Sequence, residues 1–223
     1  MKNFFLVLTT ITLLLSCDTL TTNNIFVTNE SELKEALKNS KAGDDIVLKD
    51  GTYKDVELEF YGKGTENNPI TLRAENPGKV FIEGNSNLEI GGEYLVVKDL
   101  HFRNGYTTKK HLIRFKINDD KIAFHSKITN CVIEEFTQLD RDVTDHWVEF
   151  WGQHNELSNN YIAGKSNFGP TVMVMLKGNQ HINNHHQIIN NHFGPRPRKG
   201  GPHGETMQIG DSGTSMMPSH TNV

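Results

Sequence analysis

Residues 126–136 read SKITNCVIEEF, residues 155–165 read NELSNNYIAGK, and residues 186–194 read HQIINNHFG. Each stretch has an apolar run, then asparagine, then a second run with a bulky apolar or aromatic residue. A short β unit that recurs every few tens of residues is typical of a solenoid built from strands. Asparagine tolerates the left-handed backbone of a tight corner and can hydrogen-bond the asparagine of the next coil. The pattern predicts an all-β, single-stranded parallel β-helix.

The rest of the chain has short strand-like runs separated by Gly, Asn and Asp, and one helical pattern near its start. Asn29 and Glu32 form a capping box, and Leu33, Ala36 and Leu37 share one face. We therefore expect a helix over 30–39 that covers the open N-terminal end of the solenoid. A β-sandwich is the alternative fold, but hairpin signals are scarce, with RNGY at 103–106 the main one.

The length, composition and net charge of the chain exclude some classes of function. The chain has 223 residues, 35% hydrophobic and 22% charged, which suits one domain or one part of a larger enzyme. Its formal net charge of −4 argues against general nucleic-acid binding. An anionic ligand must therefore be met by a local basic patch rather than by the overall charge.

The first residues indicate export. MKNFFLVLTTITLLLSC has one lysine, an apolar run too short to span a bilayer comfortably, and a Leu-Leu-Ser-Cys ending that resembles the lipobox of bacterial lipoproteins. We predict a signal peptide over 1–16, lipidation of Cys17, a tether over 17–24 and a β-helix domain over 25–223. The lipid anchor would hold the protein at the periplasm, outer membrane or cell surface. An ordinary signal peptide cut nearby is the alternative.

Cysteine and tryptophan can serve in catalysis or ligand binding, but we favour a structural role for both in this chain. Cys131 lies in apolar alternation, and we expect a buried structural thiol. Trp147 and Trp151 share a strand side with Glu149; they either stack on sugar rings or, as we favour, pack under a loop.

A histidine group comprises His181, His185, His186 and His192. We interpret these side chains as coil-corner residues rather than zinc ligands, because neither an HExxH motif nor a Cys/His pairing accompanies them. We predict no metal site within this chain.

A basic loop follows the last asparagine unit. Residues 191–210 read NHFGPRPRKGGPHGETMQIG, in which prolines restrict the loop and glycines allow a sharp turn. Guanidinium groups bind carboxylates through paired hydrogen bonds. A solvated surface loop is the alternative. The candidate substrate-binding residues are Arg196, Arg198, Lys199, His203 and Glu205.

Three stretches of the chain resemble polysaccharide lyase family 6, the family of chondroitinase B and many bacterial alginate lyases. They are this loop, WGQHNELSNNYIAGKSNFGPTV at 151–172 and EYLVVKDLHFRNGY at 93–106. The resemblance covers nearly the whole chain after the signal peptide. It implies a right-handed parallel β-helix and calcium-assisted β-elimination on an acidic polysaccharide, with alginate the closer match. A dermatan sulfate or chondroitin B lyase, and a non-catalytic β-helix that binds surface polysaccharide, are the alternatives.

The resemblance also implies that the catalytic groups lie outside this chain. The family's calcium-binding Glu-x-Glu, its lysine base and the following arginine belong to coils after Val223, so we assign no catalytic residue and expect this chain alone to lack lyase activity. Family members commonly read Asn-Gly-Gly-Glu-Thr where this chain has Pro202, His203, Gly204, Glu205 and Thr206. Because Pro202 stands where those members have asparagine, this chain lacks an amide side chain that the resemblance implies for contact with metal or substrate.

Overall fold

The computed structural model describes residues 23–176, 183–197, 204–210 and 221–222. These residues form one helix and a series of short strands. In chain order the elements are β1 Asn23–Val27, α1 Glu30–Asn39, β2 Asp44–Leu48, β3 Gly51–Lys54, β4 Glu57–Lys63, β5 Ile70–Ala74, β6 Val80–Asn85, β7 Asn87–Glu93, β8 Leu95–Lys98, β9 His101–Tyr106, β10 His111–Arg114, β11 Lys116–Asn118, β12 Lys121–Phe124, β13 Lys127–Thr129, β14 Val132–Glu134, β15 His146–Phe150, β16 Glu156–Ser158, β17 Tyr161–Ala163, β18 Val172–Val174, β19 His186–Ile189, β20 His192–Phe193, β21 Met207–Ile209 and β22 Thr221–Asn222.

Three sheets run along the molecule, and successive coils add one strand to each. Sheet A has the order β1-β2-β5-β8-β13-β16-β19-β22, and sheet B has the order β3-β6-β9-β14-β17-β20. Sheet C contains β4, β7, β10, β15, β18 and β21, with the short β11–β12 hairpin beside it. Within the described residues β11 and β12 are antiparallel, and all the remaining strand pairs are parallel. The chain is therefore a parallel β-helix, and the β-sandwich alternative is wrong.

The core consists of side chains stacked in register from coil to coil. On the inner face of sheet A one aliphatic residue from each coil lies directly over the next: Ile25, Ile46, Leu72, Val97, Ile128, Leu157 and Ile188. From Ile46 onward these side chains are at most 3% exposed. Because parallel strands lie about 4.8 Å apart, the apolar stack is continuous and excludes water.

The corner between sheets A and B confirms the predicted role of asparagine. Asn130, Asn159 and Asn190 occupy equivalent positions with φ of 53°, 57° and 56°. The residue after each one points inward, and there the buried amides bond between coils: Asn160 Oδ1 accepts from the Cys131 N–H at 2.9 Å, and Asn191 Oδ1 accepts from the Asn160 N–H at 3.0 Å. These side chains satisfy backbone groups that a tight corner would otherwise bury without partners.

Cys131 is the buried thiol that the sequence predicts. It is 1% exposed, and burial raises its pKa to about 12. The Sγ–H donates to the Thr129 carbonyl at 3.4 Å. A thiol held protonated in this way packs as a small apolar side chain.

A second ladder lies at the corner between sheets C and A. The rings of Tyr94, His125, His154 and His185 stack outside the corner, with centroid separations of 4.9, 4.6 and 5.1 Å. All four residues have positive φ. Inside the same corner Ser126, Asn155 and His186 follow one another: Asn155 Oδ1 accepts from Ser126 N–H, and His186 Nδ1 accepts from Asn155 N–H.

Helix α1 has the bounds that the sequence predicts and closes the first coil. Asn29 caps it by accepting a hydrogen bond from the Glu32 N–H at 3.0 Å. The buried face, Leu33, Ala36 and Leu37, joins the main core. In the described part of the chain no helix is long and apolar enough to cross a membrane.

The corners differ in how much chain they accommodate. From β8 onward each connection from sheet A to sheet B has two residues: 99–100, 130–131, 159–160 and 190–191. The connections from sheet B to sheet C vary, covering 107–110, 135–145, 164–171 and 194–206. The connections from sheet C to sheet A vary as well, from 151–155 to 175–185, so the corner between sheets A and B is the uniformly short one.

The amide ladder gives a test of stability. Asn160→Ala should lower the free energy of unfolding by about 2–3 kcal/mol, because the buried Cys131 N–H loses its acceptor. Urea denaturation measures the change. The matched control is Asn159→Gly at the neighbouring exposed position, where glycine readily adopts the positive φ and we expect a change within about 0.5 kcal/mol. Equal losses in both variants contradict the role of the ladder.

Candidate functional site

The candidate site lies where the three longest connections from sheet B to sheet C come together: 135–145, 164–171, and the described ends of 194–206, namely 194–197 and 204–206. We call these segments the connection cluster. The basic loop singled out in the sequence is the last of them, and it leads directly into β21. Of its candidate residues, Arg196 and Glu205 are described, whereas Arg198, Lys199 and His203 lie outside the described residues, as does Cys17.

Arg196 binds the protein's own backbone. Its guanidinium donates to the carbonyls of Asn167 and Gly169, both at 3.1 Å, and to the carbonyl of Glu205 at 2.7 Å. Burial lowers its pKa, and the nearby Glu205 and Asp145 charges oppose that shift. The group thus joins two connections, which supports a positioning role. Direct binding of substrate by Arg196 stays a prediction.

Glu205 is held through its backbone and presents an exposed side chain. Its carbonyl accepts from Arg196 and also from the Thr171 N–H at 3.1 Å. The next residue continues this pairing, because the Thr206 carbonyl accepts from the Val172 N–H. The last connection is therefore registered against its neighbour just before β21 begins.

A buried ion pair lies beneath the same segments. Lys165 Nζ is 2.7 Å from Asp145 Oδ1, and the two side chains are 1% and 2% exposed. The ammonium also donates to Asn167 Oδ1 at 3.0 Å and to the Phe168 carbonyl at 2.9 Å. Burial lowers the pKa of Lys165, while Asp145 favours the charged form. With these acceptors around it, the ammonium is a structural cation.

Asp145 is the centre of this network. Its Oδ1 accepts from Asn167 Nδ2 at 2.9 Å, and its Oδ2 accepts from Gln138 Nε2 at 2.8 Å. Gly169, whose carbonyl binds Arg196, has φ 93°, and a Cβ there would lie 2.2 Å from the Asp145 carbonyl. The network thus fixes the backbone of the middle connection from both sides. Sequence reasoning missed Lys165 and Asp145.

The outer face of sheet C carries a row of charges on β7, β10 and β15. Glu89 is 3% exposed and is bound by Lys109 at 3.0 Å, His111 at 3.0 Å and Arg114 at 2.6 Å. Burial alone would raise the pKa of Glu89, but these cationic and hydrogen-bond partners outweigh it and hold the pKa at about 2. One coil beyond Arg114, Glu149 is bound by His146 Nδ1 and Trp151 Nε1.

The two tryptophans are buried, as the packing interpretation predicts. Trp147 is 0% exposed and belongs to the main core. Trp151 is 9% exposed, and Lys116 Nζ lies 3.8 Å from its ring centroid. Neither ring offers an open face to a sugar.

The histidines lie in structural positions. His185 is in the corner stack, His186 is buried inside that corner, and His192 stacks on Tyr161 at 5.1 Å. His181 lies outside the described residues. Across 23–176, 183–197 and 204–210, no group of three or more His, Cys, Asp or Glu side chains is placed to hold a metal ion.

The comparisons with known proteins agree on one family. A family model described as Chondroitinase B matches residues 27–223. The alginate lyase AlyGC of polysaccharide lyase family 6 is 44% identical, with a TM-score of 0.86, over 89% of this chain and 27% of its own. A mannuronic acid specific family 6 lyase from human gut microbiota is 34% identical, with a TM-score of 0.84, over 89% of this chain and 46% of its own.

A third structure, a family 6 polysaccharide lyase from Pseudopedobacter saltans, is 30% identical, with a TM-score of 0.74, over 83% of this chain and 41% of its own. The comparison with curated proteins found no match. The chain thus spans less than half the length of each of these three solved structures.

The buried pair in the connection cluster can be tested by a double-mutant cycle. Lys165→Met should lower the free energy of unfolding by about 3–5 kcal/mol, because it leaves the Asp145 carboxylate buried without its cation. Lys165→Met combined with Asp145→Asn should lose less than the sum of the two single variants, with a coupling of about 1–3 kcal/mol. Denaturant titration of the four proteins measures this coupling. Additive losses would mean that the two groups do not act as a pair.

Proposed function

Because the chain belongs to the chondroitinase B family, polysaccharide lyase family 6, we propose that its protein cleaves a uronate polysaccharide by β-elimination, with poly-mannuronate alginate as the substrate. The observation that carries the substrate is the 44% identity to an alginate lyase over 89% of the chain. A mannuronic acid specific lyase at 34% identity supports the same choice. The family model's own description makes dermatan-type glycosaminoglycan the second candidate.

The proposed reaction breaks one glycosidic bond without water. A base removes the proton at C5 of the uronate, the electron pair forms a double bond to C4, and the bond from C4 to the leaving oxygen breaks. The leaving oxygen takes up a proton, and an unsaturated sugar remains at the new non-reducing end. The developing negative charge lies next to the carboxylate, so cations at the site lower the barrier.

Among the residues described, we assign neither the base nor the proton donor. Lys165 has a lowered pKa but is enclosed by Asp145, Asn167 and Phe168, out of reach of a polymer. The part we assign to this chain is to hold the cleft edge: Arg196 and Lys165 fix the connections, and Arg198, Lys199 and His203 would meet carboxylates of the substrate.

Calcium belongs to the proposal as the cofactor that family membership implies. It would neutralise the substrate carboxylate and so favour removal of the neighbouring proton. The roles proposed for Arg196 and Lys165 rest on their bonds within the protein and do not depend on the ion.

The substrate can be tested by assaying the full-length natural protein on separate polymers. With poly-mannuronate we expect ultraviolet absorbance from the unsaturated product, with loss of activity on chelation and recovery on adding Ca²⁺. Product from dermatan sulfate alone would favour the second candidate. Binding of either polymer without product would favour a non-catalytic polysaccharide-binding protein. Activity that survives complete chelation would contradict the role of calcium.

We also propose that the protein is exported and anchored by lipid at Cys17, after removal of residues 1–16. The apolar run followed by Leu-Leu-Ser-Cys supports this. Mass spectrometry of the protein from its natural source should find a mature chain that begins at acylated Cys17. An unmodified N-terminus at another residue would contradict the anchor.

A further inference from the structure

A cleft of about 440 Å³ lies between helix α1 and the first strands of sheet C. The helix contributes Lys34, Leu37 and Lys38 to its wall. The outer faces of β4 and β7 form the remaining wall, with Lys109 and Lys121 at the border. The cleft is therefore a surface feature of the capped end.

An unpartnered acceptor lies at this cleft. Asn87 lines it and is 2% exposed, and its Oδ1 is buried without any hydrogen-bond donor. Buried side-chain oxygens nearly always have a donor in folded proteins. A hydroxyl of a bound ligand would supply one to Asn87.

The charges of the cleft are of both signs, and several of them are not internally paired. Glu89 is fully engaged by Lys109, His111 and Arg114, so its charge is compensated. Glu57 and Glu59 are exposed on the rim and form no ion pair within the described residues. Lys38 on the helix and the half-buried Lys121 at the border likewise form no ion pair within the described residues.

Tyr61 adds an aromatic surface to these groups. Its ring is 39% exposed, and Lys121 Nζ lies 4.9 Å from the ring centroid. Aromatic rings with a polar border are suited to the apolar face of a sugar, while the polar groups fix its orientation. Carboxylates and amide oxygens accept from hydroxyls, and ammonium groups pair with a carboxylate.

These groups together select one class of ligand. A small inorganic anion would offer neither a hydroxyl to Asn87 nor an apolar face to Tyr61, and a purely apolar ligand would leave the charges and the Asn87 oxygen without partners. A sugar that carries a carboxylate satisfies donors, acceptors and ring at once. We propose that this cleft is a second binding site for a uronate sugar, separate from the basic loop that carries Arg196 and Glu205. The choice of uronate rests on the proposed function.

The position of the cleft gives the second site a purpose. Sheet C runs from β4 and β7 at the cleft to β21 at the connection cluster, in the order β4-β7-β10-β15-β18-β21. At about 4.8 Å per strand, β21, into which the basic loop leads, lies roughly 20 Å from β7. A long polymer that occupies both binds more tightly than a short oligomer, because the second contact is intramolecular.

The test uses the full-length natural protein and the double variant Tyr61→Ala/Lys121→Gln. The matched control is Phe26→Ala/Lys79→Gln: Phe26 is an exposed aromatic on sheet A with Lys49 Nζ 4.3 Å from its ring, and Lys79 is an exposed lysine in a turn. In the cleft variant, the KM for poly-mannuronate should rise about tenfold. Its kcat should not change, and neither should its KM for a short oligomer from which a disaccharide is released. The control variant should match the unaltered protein.

Each outcome separates this inference from the proposed function. An unchanged KM for the polymer, or an equal rise for polymer and short oligomer, overturns the second site while the lyase activity stands. If the protein cleaves no uronate polymer, the proposed function fails, and calorimetric binding of uncleaved poly-mannuronate then tests the cleft directly. In that case, a Kd about tenfold weaker in the cleft variant supports the site, and an equal Kd overturns it.

Discussion

The structure depends on backbone groups at the corners being satisfied by side chains from the adjacent coil. A β-helix turns sharply three times in each coil, and every turn brings N–H and carbonyl groups into the interior away from the strands. Asn160, Asn191 and Asn155 supply the missing partners, each through an amide that bonds to the coil before it. Because each amide fixes the spacing between its own coil and the coil before it, the strands stay in register and the aliphatic side chains form a continuous stack.

In the long connections, charged side chains satisfy backbone groups as the corner amides do elsewhere. Loops at 135–145 and 164–171 have no strand partners to order them, and Lys165, Asp145 and Arg196 take that role by binding carbonyls and carboxylate in the interior. A buried cation is costly without acceptors, so its bonds define one arrangement of the loop and penalise others. The edge that leads into β21 is thus rigid at its base, while Glu205 remains exposed above it.

Much of the fold could be predicted from the sequence because its signals are local and repeated. The bounds of α1 follow from Asn29 and the spacing of Leu33, Ala36 and Leu37, and the corner asparagines recur with the coil. Strand alternation was less reliable at Trp147: its N–H and that of Val148 both donate to the Thr171 carbonyl, and this irregularity accompanies the placement of the ring in the core. The pairing of Lys165 with Asp145 has no local signature, since the two residues lie on different coils. The cleft beside α1 likewise exists only once helix and sheet are packed.

The unequal corners have a consequence for how such a chain can diverge. From β8 onward, the two-residue corner between sheets A and B leaves no room for an insertion. One extra residue would shift an amide out of its ladder and reverse the inward and outward sides of the strand that follows. Between sheets B and C the connections already differ in length, and none of the interior ladders passes through them. New sequence can therefore enter between sheets B and C without disturbing the amide ladder between sheets A and B. The solenoid separates the positions that must be inherited unchanged from those that are open to variation.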